Sequence, residues 1–85
     1  MERIVAAALR HEDQVYSLPP PARHHTVIQM MAELGMGPET MGDQGFVTDS
    51  GRFVYRSEAA IIATQADQLI LKSFPTDLLF SEDVW

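Results

Sequence analysis

Residues 44–60, QGFVTDSGRFVYRSEAA, constrain the fold more than any other stretch. Gly45 to Thr48 reads as a strand, Asp49-Ser50-Gly51 as a turn in which Gly51 supplies a positive φ, and Arg52 to Tyr55 as the returning strand. Ser57 is placed to cap a helix that follows at once, with Glu58 beside the positive end of its macrodipole. Strand, turn, strand and helix in so few residues leave room for little except a mixed α and β architecture. The stretch also holds two of the six Lys/Arg residues, Arg52 and Arg56, and three of the seven aromatics, Phe46, Phe53 and Tyr55. Aromatic faces and guanidinium groups on short strands suit a base and a phosphate. Period 2 limits that use: Phe53 and Tyr55 share one face, Arg52 and Val54 the other, and one of the two faces must be core.

The rest of the chain extends the pattern. Ile4 to Leu9 and the alternating Gln14 to Leu18, separated by His11-Glu12-Asp13, read as a β-hairpin, although the alanine triplet would equally start a helix. Pro19-Pro20-Pro21 ends the second run, because proline donates no ladder hydrogen bond. Val27, Ile28, Met31 and Leu34 recur on one face of a helix. Either Thr26 caps that helix or His24 and His25 lie in its first turn, and Gly35 is its left-handed stop. Residues 36–43 are a loop. Ala59, Ile62, Ala63 and Ala66 mark the buried side of the second helix, and Leu69 to Leu71 reads as a short last strand before Pro75. The expected order is β-β-α-β-β-α-β. The expected class is α+β: a small antiparallel sheet of β-hairpins with two main helices, in one domain over 1–85.

Composition narrows the function. A chain of 85 residues without cysteine has no disulfide staple and no thiolate metal site. Small domains without staples gain stability by oligomerising, so a homodimer or larger assembly is expected. The 46% hydrophobic content is that of a globular fold. A net charge of −6 opposes broad binding to DNA or RNA, but one or two arginines can still hold a small phosphorylated ligand. No apolar run approaches the roughly 20 residues of a membrane span, and the expected location is the cytoplasm.

Four groups are candidates for chemistry. Arg23-His24-His25 stands where proline leads into a helix, a place that attracts anions and is equally an ordinary solvated helix start. The adjacent histidines diverge on a helix and no HxxxH pair exists, so no metal site is expected. Phe46, Phe53 and Tyr55 are a stacking platform or simply core, with Arg56 the better-placed cation. Glu82 and Asp83 lack the nucleophile that an acid–base pair would serve, so no enzyme and no cofactor are expected. Phe80 and Trp85 on either side of them indicate that this tail docks.

Three segments carry a resemblance: PARHHTVI at 21–28, QGFVTDSGRFVYRSEAAIIA at 44–63 and LFSEDVW at 79–85. Together they resemble the first-described Thoeris anti-defence family of phages, the cyclic-nucleotide sponges, in its RH helix start, its QGF…G.FV.R.EA..IA run and its terminal SED signature. The resemblance implies a protein that binds glycocyclic ADP-ribose made by TIR-domain proteins and holds it uncleaved in the host cytoplasm, with cyclic di- or trinucleotides at separate sites in some members. It implies paired long helices in dimers or hexamers. By matched position it implies Arg23, His24, Phe46 and Arg56 as ligand residues, with Gln44 and Lys72 beside them. Ser81, Glu82 and Asp83 match the SED signature and receive no assigned role. Two departures stand out. Asp67 occupies the place of a glycine at a helix end, which predicts a longer helix, and Tyr55 replaces a small polar residue before Arg56. The alternative to a sponge is a phage inhibitor that binds a host defence enzyme through its acidic surface.

Overall fold

The computed structural model describes residues 1–37, 42–70 and 78–85. β1 (Ile4–His11) and β2 (Gln14–Leu18) are joined by Glu12 and Asp13, whose φ values of 49° and 64° are both left-handed. A two-residue type I′ turn requires that conformation, and its twist matches that of the strands. α1 (His24–Glu33) follows, then β3 (Asp43–Thr48), β4 (Phe53–Tyr55) and α2 (Arg56–Gln65). A 3-10 turn, Ser81–Asp83, lies in the C-terminal segment. The strands form one antiparallel sheet in the order β2-β1-β3-β4, so the two hairpins join through β1 and β3. The α+β class and its hairpin sheet are as the sequence predicts. The expected last strand is not: Leu69 and Ile70 lie outside any strand, and position 71 lies outside the described residues.

Both helices lie on one face of the sheet. Ala7 and Leu9 of β1 share that face with Tyr16 and Leu18 of β2, Gln44 and Phe46 of β3, and Val54 of β4, since directly paired residues point the same way. α1 covers Leu9 with Val27 and Met31. α2 covers Ala7, Phe46 and Val54 with Ala59, Ile62 and Ala63, the small alanines letting the helix come close. Ile4 joins this core although it is three positions from Ala7, an odd spacing that strict alternation would send to the other face. A bulge between Ile4 and Ala6 absorbs the extra residue, pairing Ile4 with Thr48 and Ala6 with Val47. The side chain of Gln68 secures the bulge, accepting from Ile4 N and donating to Ile4 O at 2.8 Å each.

Among the described residues the opposite face carries no helix, and side chains cover it. Ala6, Ala8 and Gly45 lie buried at its centre. Phe53 crosses Gly45 so closely that a Cβ there would stand 2.5 Å from its ring and 2.3 Å from Val54 O. The Arg10 guanidinium lies over the rings of Phe53 and Tyr55, at 5.2 and 5.1 Å, and Nη2 donates to the Tyr55 hydroxyl.

The helix ends follow one design. At α1, Gly35 at φ +88° lets Met36 N reach Met31 O and Gly35 N reach Ala32 O, the paired bonds of a Schellman motif. At α2, Asp67 takes the same role at φ +55°, with Gln68 N on Ala63 O and Asp67 N on Thr64 O. The aspartate therefore stops the helix where a glycine would, and α2 is not prolonged. Both helices have ten residues, so the long paired helices that the resemblance implied are absent from the described residues.

Of the two readings for the start of α1, the one with His24 and His25 in the first turn holds; the start of α2 differs from expectation. Arg23 is the N-cap of α1, and Thr26 serves from inside the helix, its Oγ1 accepting the Arg23 N–H at 3.2 Å. Tyr55 rather than Ser57 is the N-cap of α2, because β4 runs into the helix with no intervening residue.

At the second hairpin, Glu2 gathers the turn. Its carboxylate accepts from Arg52 Nε and Nη2 at 2.8 and 2.7 Å, from Ser50 Oγ at 2.6 Å and from Thr48 Oγ1 at 2.5 Å. Arg52 Nη2 also reaches Glu58 at 2.8 Å. The hydrogen bonds from Arg52, then Ser50 and Thr48, hold the Glu2 carboxyl down at about 2, against 4.5 for an ordinary glutamate. The two carboxylates push the Arg52 guanidinium in the opposite direction, upward.

Candidate functional site

Segments distant in sequence close on one another at the start of α1. His24 is buried there, and its Nε2 lies 2.7 Å from Gly45 O in the middle of β3. A carbonyl can only accept, so Nε2 carries the proton of this bond. The imidazole meets Phe46 edge-on, with centroids 4.9 Å apart. Phe46 in turn meets Trp85 edge-on at 6.4 Å. The indole Nε1 of Trp85 donates to Ala22 O at 2.8 Å, and Arg23 Nη2 donates to the main-chain oxygen of Trp85, also at 2.8 Å. The C-terminal segment thus lies against the helix start as the sequence indicates.

The other end of the segment is fixed at α2. Leu79 and Arg56 exchange main-chain and side-chain bonds: Leu79 N donates to Arg56 O at 3.1 Å, and Arg56 Nε donates to Leu79 O at 3.1 Å. The guanidinium also lies over the Phe80 ring at 4.9 Å. Between these ends the 3-10 turn is held by Asp83, whose carboxylate accepts from Phe80 N at 2.9 Å and whose main-chain oxygen accepts from Ile70 N at 2.7 Å.

The candidate residues fall into three groups. Arg23 and Arg56 are half-buried and reach the surface, each holding one end of the C-terminal segment. His24 and Phe46 lie inside, and Phe46, at 0% exposure, offers a ligand no surface. The physical reason is the register that pairs it with Ala7 and Val54, which directs it into the core beneath α2. Gln44 is half-buried on the same sheet face as Phe46. Lys72 lies outside the described residues. Arg10, which the sequence reading passed over, is the cation that meets Phe53 and Tyr55; position 10 pairs across the sheet with Asp43, and only that register reveals it. Among the described residues no group of three His, Cys, Asp or Glu side chains is placed to hold a metal ion. No helix among them is long and apolar enough to cross a membrane.

The hairpin sheet, the helices on one face and the C-terminal segment packed across them make a small α+β fold. The chain belongs to the family described as Phage T4 y16D protein, whose model matches residues 3–85. Neither a characterised protein nor a solved structure matches it.

Proposed function

We propose that this phage-family protein binds and sequesters a cyclic nucleotide signal of the glycocyclic ADP-ribose type without cleaving it. One observation supports the reading above the rest. The three segments that resemble the sponge family, 21–28, 44–63 and 79–85, meet in one cluster through Arg23 with Trp85, His24 with Gly45, Phe46 with Trp85 and Arg56 with Leu79. In this reading Arg23 and Arg56 take the pyrophosphate oxygens, since guanidinium forks suit phosphate and both reach the surface. His24 and Phe46 form the rigid wall behind them. A homodimer or hexamer in the host cytoplasm would enclose more of the ligand than one protomer.

The test is direct. The purified protein is incubated with TIR-derived glycocyclic ADP-ribose, filtered, denatured, and the released material is chromatographed. Recovery of intact ligand in proportion to protein supports the proposal. Absence of ligand in the retained fraction, or recovery only of cleaved product, refutes it.

A second reading has its own observation. All five arginines among the described residues are engaged within the chain: Arg3 with Ala66 O, Arg10 with Tyr55, Arg23 with Trp85, Arg52 with Glu2 and Glu58, and Arg56 with Leu79. The net charge of −6 leaves carboxylates in excess, as an inhibitor of a basic host protein would need. A thermal-shift series separates the two: a sponge gains stability from the cyclic nucleotide, and an inhibitor does not.

A further inference from the structure

We infer that the outer edge of β2 pairs with the same edge of a second copy of this chain, joining two four-stranded sheets into one. β2 ends the sheet order and, among the described residues, pairs only with β1. Glu12 and Asp13 make a two-residue turn, so His11 and Gln14 on either side of it exchange both main-chain bonds. Alternation from there gives Tyr16 and Leu18 to the ladder with β1 and turns the N–H and C=O groups of Val15 and Ser17 outward. Those outward groups have no hydrogen-bond partner among the described residues.

A second copy suits this edge in geometry, charge and apolar surface. About a two-fold axis at Tyr16, Val15 of each copy stands opposite Ser17 of the other, and each such pair exchanges both of its bonds. That register satisfies every outward group of both edges at once. In a chain of net charge −6, Gln14–Leu18 (QVYSL) carries no charged residue, so two copies meet there without opposing carboxylates. The strand also lacks the proline, lysine or bulge that guards many sheet edges. Beneath α1 the core cluster of Leu9, Val27 and Met31 is rimmed by Tyr16, Leu18, Ile28 and Met30, all half-buried. Val15 is 43% exposed on the other side of the strand. Pairing draws Val15, Tyr16 and Leu18 out of water together. The opposite edge offers less, because β4 has three residues and runs straight into α2. The contact uses one patch on both copies, so it closes at two.

The chain has no cysteine, so a single introduced one reports the register. Tyr16 lies at the axis, where facing Cα atoms of a non-hydrogen-bonded pair stand about 4.5 Å apart, within disulfide range. Gln14 faces Leu18 of the other copy, which keeps the two Gln14 positions about 13 Å apart. The expected result is a parent that sediments at twice the chain mass at micromolar concentration, a Tyr16→Cys variant that cross-links on oxidation, and a Gln14→Cys variant that does not. Ser17→Pro removes an outward N–H and leaves the ladder with β1 whole, and Val15→Lys sets a charge on the edge. Both are expected to sediment as monomers with the parent's far-UV circular dichroism. The Val15 and Ser17 amides of the parent are expected to exchange slowly, as ladder amides do. Should Ser17→Pro fail to fold, Val15→Lys and the exchange of the parent carry the test. A monomeric parent overturns the inference and leaves the edge to a different chain. A dimer that persists in the folded variants, cross-links at Gln14 rather than Tyr16, or exchanges freely at Val15 and Ser17 is joined through another surface and also overturns it. No ligand enters the experiment, so its outcome is separate from that of the sequestration test.

Discussion

His24 Nε2 lies 2.7 Å from Gly45 O, a single buried bond that ties the first turn of α1 to the centre of β3. The N-terminal hairpin and the second hairpin meet through β1 and β3, so this bond fixes the helix above their junction. Replacing His24 with alanine leaves a buried carbonyl without its donor and a void against Phe46. The expected loss is about 2–4 kcal/mol, measured as a lower urea midpoint with an unchanged slope.

Gly45→Ala tests the other side of the same residue. The added methyl meets Val54 O at 2.3 Å and the Phe53 ring at 2.5 Å; the ring can turn aside but the carbonyl cannot. A loss of about 1–3 kcal/mol is expected. Gly35→Ala, where nothing stands within 4 Å, costs only its left-handed backbone and serves as the control in the same thermal melts.

Acid stability follows from Glu2. Its folded value of about 2 lies below the ordinary 4.5, so the folded state favours the ionised carboxylate. The stabilisation is fully present above pH 4.5 and is lost as the pH falls toward 2. Glu2→Gln, which cannot ionise, is expected to be less stable than the parent at pH 7, with the gap closing as the pH falls through that window. Denaturation midpoints between pH 2 and 7 check it, and a constant gap would exclude Glu2 as the source.

Asp67→Gly is expected to raise stability, because the left-handed C′ position of α2 suits glycine better than a side chain with a Cβ. The gain is about 0.5–1 kcal/mol. Asp67→Val, β-branched at the same φ, is expected to lower the melting temperature.

Arg23→Ala and Arg56→Ala are expected to weaken cyclic ADP-ribose binding by about 1 kcal/mol or more each in calorimetry. Both residues also hold the C-terminal segment, so the lysine variants are needed: they keep the charge, lose the fork, and are expected to bind with intermediate affinity. Phe46→Ala cannot serve this purpose. It empties the centre of the core at a cost of about 3–5 kcal/mol.

Local chemistry made much of this fold legible. Gly35, Gly51 and the alternating Gln14 to Leu18 act over a few residues, and the two hairpins, both helices and the buried alanines of α2 stand where those signals put them. The misses are non-local. The odd spacing of Ile4 and Ala7 makes sense only with β3 alongside and Gln68 brought back from 64 positions away. The bond between Glu2 and Arg52 spans 50 positions, which no periodicity encodes. Phe46 was readable as core or ligand until its register with Val54 put it under α2. Asp67 was read against the glycine it replaces, although aspartate is among the few residues that accept the left-handed region.

The bonds from Ala22 and Arg23 to Trp85 have a consequence in time as well as in space. The first hairpin can form early, but β1 stays an open edge until β3 pairs with it, and Trp85 meets Ala22 and Arg23 only across 63 and 62 positions of chain. Contacts between such distant positions close late, because loop entropy must be met before they are rewarded. The pace of folding is then set by these distant closures rather than by the local turns.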